Sequence, residues 1–335
     1  MKRWIDINDR SAIAAIRRLA RRYAAGLNLP ETRLDALAIV VTEAATNILR
    51  HAGRGRALIE VIEGKGVRKI ALVFADHGPG IADMDRMMQD GHSSMPDSSG
   101  LGLGSIRRLS DTFDIYSVQG EGTTITCTFA AEDTPPYEGT LALDGLRVCH
   151  PGSNVCGDDM MVRPGAGHTD MLLCDGLGHG SLAAKASAEI VETARHLHLA
   201  PNDTIAHLSR EMVGHRGAVA AMARIDHATG RLDYSGLGNI TTLCLGAETH
   251  KRLAVRDGRI GGAPTRGFDE QVMLNPGDVV ILHSDGLKTL GDRDLPPALL
   301  ARSPMLICGH LLDRAFRGRD DASILVMRWL GRAAA

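Results

Sequence analysis

Aromatic residues make up only 3% of this 335-residue chain, and its acids and bases nearly cancel, leaving a formal net charge of -2. A nucleic-acid surface needs a basic face for phosphates or rings on which bases stack, so no nucleic-acid partner is expected. The six cysteines, Cys127, Cys149, Cys156, Cys174, Cys244 and Cys308, form no C-x-x-C pair, and several lie inside apolar runs. They read as reduced, buried thiols of a cytoplasmic protein. No apolar run approaches the roughly 20 residues that cross a bilayer, which argues against a membrane partner. The basic, amphipathic "AIAAIRRLARRYAAGL" near the N-terminus raises a membrane-surface or targeting role, but apolar residues at helical spacing more often mark a packed face. Internal repeats and low-complexity tracts are missing as well.

The length exceeds what one core ordinarily organises, so two domains are expected. Apolar runs and alternation predict strands at "RALIEVIE", "KIALVFAD" and "TTITCTFA", among helices over 11–26, 31–51 and 101–111. In "AAEDTPPYEGT" charge, a proline pair and glycine interrupt the pattern. The expected division is a first domain over 1–132, a linker over 133–144 and a second domain over 145–331. Beyond the linker, strands are predicted at "DMLLCD", "AVAAMARID", "RLDYSG", "ITTLCLG", "VVILHSD" and "ASILVMRWL", with helices over 182–199, 202–214 and 296–314. Many strands with few helices suggest two packed sheets flanked by helices. The fold class is α/β, in the broad sense that includes α+β.

Three elements of the first half follow an informative order. In "VTEAATNILRHA", Glu43 and Asn47 are four apart and share a helix face; a carboxylate and an amide there can serve a hydroxyl and a magnesium ion. "FADHGPGI" ends a strand with Asp76 and adds Gly78 and Gly80, an acid beside a pliable backbone. "SSGLGLGSIRRLSD" places Gly100, Gly102 and Gly104 at a helix start, where free N–H groups favour phosphate. Each glycine cluster alone is also an ordinary turn. Together they resemble the GHKL ATP-binding fold shared by gyrase, histidine kinases and MutL, in its anti-sigma-factor serine kinase branch, and "QDGHSS" is similar to the lid of that branch. The resemblance covers residues 1 to about 130. It implies an α/β sandwich, Glu43 as the base that orients a serine hydroxyl, Asn47 as magnesium ligand, Asp76 as adenine anchor and the 100–104 glycines as the phosphate cradle of ATP. The arginine that sporulation-type relatives carry before the last glycine box is replaced here by "MPDSSG". Arg107 and Arg108 follow the box as substitutes or as solvated helix charges.

The second half repeats a theme of acids at strand ends. "DGLGHG" follows "DMLLC" and puts Asp175 and Gly176 at one strand end; "VCGDDMMV" contributes Asp158, "VVILHSDGL" Asp285, and "GRDDASILVM" Asp320 and Asp321. Gathered without compensation these acids would repel one another, and divalent cations would resolve that. Oxygen-only clusters suit hard ions such as magnesium or manganese, two of which can activate a water for attack on phosphorus. His179 and His283 are better read as hydrogen-bonding or phosphate-facing neighbours than as ligands. Cys156 is not followed by the C-x5-R cradle of a cysteine phosphatase. The pattern, with "YSGLGNITT" and "LNPGDVVILHSDGL", resembles the type 2C metal-dependent protein phosphatases in their bacterial sporulation and stress-response branch, over about 145–330. The resemblance implies an α-β-β-α sandwich and metal ligands at Asp158, Asp175, Gly176, Asp285 and Asp320, with Asp321 where relatives outside bacteria often carry Asn.

Two readings follow. In one, the chain both phosphorylates and dephosphorylates serine or threonine on a STAS-type anti-sigma antagonist, the partner coming from the resemblance alone. In the other, it is a phosphatase whose first domain binds ATP and sequesters a partner without transferring phosphate. A third, with a true kinase and a purely structural acidic cluster, is also consistent with the residues. A homo-oligomer is left open.

Overall fold

The computed structural model describes residues 3–64, 67–87, 102–131 and 139–331. The described residues divide into two compact units, one of 3–131 with 301–310, the other of 139–300 with 311–331.

In the first unit, β1 (Ile5–Ile7) leads into α1 (Arg10–Ala24), which begins where the Asp9 carboxylate accepts the amides of Ser11 and Ala12. Helix α2 (Glu31–Asn47) starts after Pro30 and does not stop cleanly: it passes into one π-helical turn over Ile48–Ala52, closed by Gly53 at φ 76°. Strands β2 (Gly55–Gly64) and β3 (Val67–Asp76), short helices α3 (Met84–Met87) and α4 (Leu103–Leu109), and strands β4 (Thr112–Val118) and β5 (Gly122–Ala130) complete it. The sheet runs β1-β2-β3-β5-β4, antiparallel throughout. Ile16, Ala20, Leu37, Val41 and Ala44 of the helices meet Ile59, Ile70, Leu72 and Phe74 of the sheet in one core. The amphipathic N-terminal stretch is therefore a packed face, as its spacing predicts.

The second unit opens with β6 (Leu141–Val148), which begins inside the stretch assigned to the linker. It continues through β7 (Asp158–Gly165), β8 (His168–Gly176), α5 (Ser181–His196), α6 (Pro201–Glu211), β9 (Ala218–Asp226), β10 (Arg231–Leu237), β11 (Thr241–Leu245), β12 (His250–Leu253), β13 (Phe268–Met273) and β14 (Val279–His283). Helix α7 (Pro297–Leu300) and helix α8 (Pro304–Ala315), the latter divided between the two units after His310, precede β15 (Ala322–Trp329). Two five-stranded antiparallel sheets result, β13-β10-β9-β8-β7 and β12-β11-β14-β15-β6.

Strand β8 explains how "DMLLC" reads as an unbroken apolar run. Met171 and Leu173 join the core between the sheets, while Leu172 and Cys174 point the other way, against Ile190, Val191, Ile205 and Leu208 of α5 and α6. A strand covered on both faces needs apolar residues at every position. Strand β9 divides likewise, Ala221 and Ala223 inward and Ala220 and Met222 toward the helices. The mixed α/β class and the sandwich expected for each half are what the structure shows. Among the described residues no helix is long and apolar enough to cross a membrane.

Candidate active sites

The first site is built where α2 ends beside the end of β3. Glu43 and Asn47 occupy the last turns of α2, both half-buried. Burial raises the Glu43 carboxyl above its ordinary 4.5, partly offset by the charge of Arg50. The π turn, a device common at functional sites, carries Ala52 against the glycine loop. A Cβ on Gly78 would lie 2.5 Å from that of Ala52, so only glycine permits this approach. The Gly78 amide donates to Asp76 Oδ1 at 2.8 Å, which fixes the carboxylate at the strand end. Gly80 turns the chain at φ 70°, against the carbonyl of Val118. His51, lowered by burial and by Arg50, also senses the Asp76 charge. The structure thus brings the helix end and the Asp76 loop together. Gly102 caps α4 and Gly104 is buried within it; Gly100 and the "QDGHSS" and "MPDSSG" segments lie outside the described residues. Of the two arginines after the box, both exposed, Arg108 donates to Ser105 Oγ at 3.0 Å.

The second site forms where acidic strand ends converge. Asp158 and Asp175 are paired across β7 and β8. Asp158 is 2% exposed; its Oδ2 accepts from the Ser323 hydroxyl at 2.6 Å, and its Oδ1 has no hydrogen-bond partner among the described residues. Burial pushes its carboxyl up to about 6, against the hydrogen bonds of Ser323 and Ser284. Asp175 is pushed up to about 10 by burial and then by the charges of Asp158, Asp285 and Asp320. Asp285, just past β14, accepts from Asn239 Nδ2 at 2.8 Å, and Asp320 Oδ1 accepts the Asp321 amide at 2.8 Å. Gly176 is a forced choice: a Cβ there would lie 2.4 Å from the carbonyl oxygen of Ala183. Asp158, Asp285 and Asp320 therefore all act on Asp175, and the residue that follows Asp175 must be glycine.

The histidines fall beside this cluster. His179 is exposed and stacks on His150 with ring centroids 4.2 Å apart. His283 is buried, its Nδ1 2.8 Å from the Ser284 carbonyl oxygen, and burial lowers its pKa. The neighbouring Cys149 and burial raise the Cys156 thiol well above the usual range, which disfavours the thiolate a nucleophile needs. Sequence reasoning did not single out Ser284, Ser323 or Asn239, which orient the acids, nor Arg216, whose Nε donates to the Leu177 carbonyl at 2.6 Å inside "DGLGHG". Ser284 and Ser323, polar residues beside an Asp-Gly and an Asp-Asp pair, were the available signal. It also missed Asp170, fully buried between Arg163 and Arg224.

The family profile described as "Histidine kinase-like ATPase domain" matches residues 8–129, and that described as "Stage II sporulation protein E (SpoIIE)" matches residues 165–330. The serine/threonine-protein kinase RsbT of Bacillus subtilis (strain 168) is 37% identical over 115 residues, 34% of this chain and 84% of that protein. The phosphoserine phosphatase RsbX of the same organism is 27% identical over 141 residues, 41% of this chain and 69% of that protein. A crystal structure of RsbX in complex with magnesium superposes with a TM-score of 0.52 at 21% identity, covering 57% of this chain and 96% of that one. The chain belongs to the histidine kinase-like ATPase family through an RsbT-type domain, and behind that domain it carries a SpoIIE-type phosphatase domain.

Proposed function

We propose that the chain is a cytoplasmic partner-switching regulator that phosphorylates and dephosphorylates serine or threonine on one class of partner, a STAS-type anti-sigma antagonist. One observation carries the phosphatase half: burial, and then the charges of the strand-end carboxylates Asp158, Asp285 and Asp320, push Asp175 up to about 10. Cations are the remedy for such a site. The unpartnered Oδ1 of Asp158 and the all-oxygen donor set fit a hard ion. Asp158, Asp175, Asp285, Asp320 and the Gly176 carbonyl are the proposed ligands of magnesium, with manganese equivalent. Bound there, the ions would supply charge neutralisation and Lewis acidity for phosphoester hydrolysis. The chain's own residues set the geometry: Ser323 fixes Asp158, Asn239 fixes Asp285 and the Asp321 amide fixes Asp320.

In the first domain, Glu43 is a partly buried carboxylate suited to take the proton of a substrate hydroxyl. Asn47 is the proposed ligand of the magnesium that accompanies ATP. Asp76, fixed by the Gly78 amide, accepts from the adenine amino group, and Gly100, Gly102 and Gly104 cradle the phosphates. The opposed activities named for RsbT and RsbX support this pairing. A second reading, ATP binding with sequestration and no transfer, is favoured by the missing arginine in "MPDSSG", since phosphoryl transfer depends on cations around the moving phosphate. Intact-mass measurement of a STAS-domain protein incubated with the chain, ATP and magnesium separates them. Gain of a phosphate, and its loss once ATP is removed, is the expected result; loss without gain favours sequestration, and neither change overturns both.

A further inference from the structure

Cys149 and Cys156 flank the loop between β6 and β7, and their sulfurs lie within 4.8 Å of one another and of a carboxylate oxygen of Asp321. Asp321 is 2% exposed. Its Oδ1 accepts the His150 amide at 2.7 Å, while its buried Oδ2 has no hydrogen-bond partner among the described residues. A cavity of about 300 Å³ opens on the two cysteines and is also lined by Arg147, Asp159, Ser187 and, from the acidic cluster, Asp158. Hydrophobic packing accounts for the other cysteines, Cys127, Cys174, Cys244 and Cys308, all buried in apolar surroundings. It does not account for two thiols gathered around a buried carboxylate with one oxygen left without a hydrogen-bond partner among the described residues.

We propose that Cys149, Cys156 and Asp321 form a second cation site, selective for a soft, thiophilic divalent ion such as zinc and distinct from the all-oxygen cluster. Two sulfurs and one carboxylate are three of the four donors of a tetrahedral zinc site, and the cavity admits water as the fourth. Sulfur donors reject magnesium and retain zinc, so the two sites sort ions by hardness. Binding is balanced by proton release: one zinc ion replaces two thiol protons, leaving two thiolates bound and no change in oxidation state. The Asp321 amide holds Asp320, so the soft site adjoins the acidic cluster along the backbone. The inference stands on its own geometry and does not depend on the phosphatase reading.

The test is cobalt titration of the full, reduced chain in saturating magnesium, which keeps the oxygen cluster occupied. Thiolate-to-cobalt charge-transfer absorption saturating at one equivalent, and abolished by zinc, is the expected result. The C149S/C156S variant should lose the band, with circular dichroism confirming its fold. If that variant does not fold, the single variants C149S and C156S replace it, each with cobalt affinity lowered at least about tenfold, the loss that even supporting groups around a metal produce. D321N should weaken cobalt by a similar factor while keeping thiolate absorption at saturation. No charge-transfer band in the wild type, or a band of full intensity in the folded double variant, would overturn the site.

Discussion

The two domains solve the problem of placing carboxylates near phosphate in opposite ways. In the first, Glu43 is raised by burial and partly offset by the cation Arg50, and Asp76 is held by the Gly78 amide. In the second, Asp175 is moved chiefly by burial and by the other carboxylates, Asp158, Asp285 and Asp320. A raised carboxyl of the first kind is partly offset by a cation before its ligand arrives. A site of the second kind is not, and the same domain shows what a settled buried acid looks like: Asp170 receives Arg163 and Arg224, whose hydrogen bonds outweigh burial and hold its carboxyl below the ordinary range. Difference in neighbours, more than depth, decides whether a buried acid is structural or calls for a metal.

The largest effect should come from D175N. Removing one shared charge should lower phosphatase turnover by more than about a hundredfold, the scale of losing a central electrostatic element, measured as phosphate release from a phosphoserine protein. Exhaustive chelation of the wild type should do the same, and manganese should restore activity at least as well as magnesium. Undiminished turnover after chelation would erase the contrast between the domains.

In the first domain, E43Q keeps shape and loses the base. Phosphorylation should fall by about a hundredfold or more, with nucleotide binding retained by calorimetry. Because the Glu43 pKa is raised in the folded chain, the wild-type rate should fall with decreasing pH around a midpoint above 4.5. Retained transfer by E43Q would favour a different base.

D170N probes the settled acid. Leaving the buried Arg163 and the partly buried Arg224 without their carboxylate should cost about 3 kcal/mol in denaturant unfolding. The Asp170 pKa is depressed on folding, so its contribution is complete above the ordinary 3.8 and is lost as pH falls through the folded value; the variant should lack that acid dependence. The smallest effect is the reverse at Asp175. Its pKa is raised on folding to about 10, so in the absence of divalent ions its ionisation costs stability as pH rises from 3.8. Metal-free D175N should therefore melt about 2–4 °C above metal-free wild type near neutral pH, what roughly 1 kcal/mol produces in a domain of this size.

Much of this was legible from residues in order. Strands buried on both faces, such as β8 and β9, advertise themselves as apolar runs, and acids followed by glycine mark their ends. Strand β7 was missed because it opens with two acids and closes on Pro-Gly, and β13, "FDEQVM", because four of its six residues are exposed. β1 is only three residues long. The helix predicted over 296–314 is broken because Pro304 disfavours a helical Ser303, giving α7 and α8 instead. In the sites, the acids could be named but not their supports. That Ser323 serves Asp158, or Asn239 serves Asp285, depends on pairings between strands remote in sequence. The soft cluster was hidden for the same reason: Asp321 lies far along the chain from Cys149 and Cys156.

The central claim, two independent sites of opposite action, is tested most directly by intact-mass time courses of one STAS-domain protein and its phosphorylated form, each incubated with ATP and magnesium and with wild type, N47A or D175N. The account predicts that N47A fails to add phosphate yet removes it at the wild-type rate, and that D175N adds phosphate and fails to remove it. Both variants losing both activities together, or N47A phosphorylating at the normal rate, would contradict it.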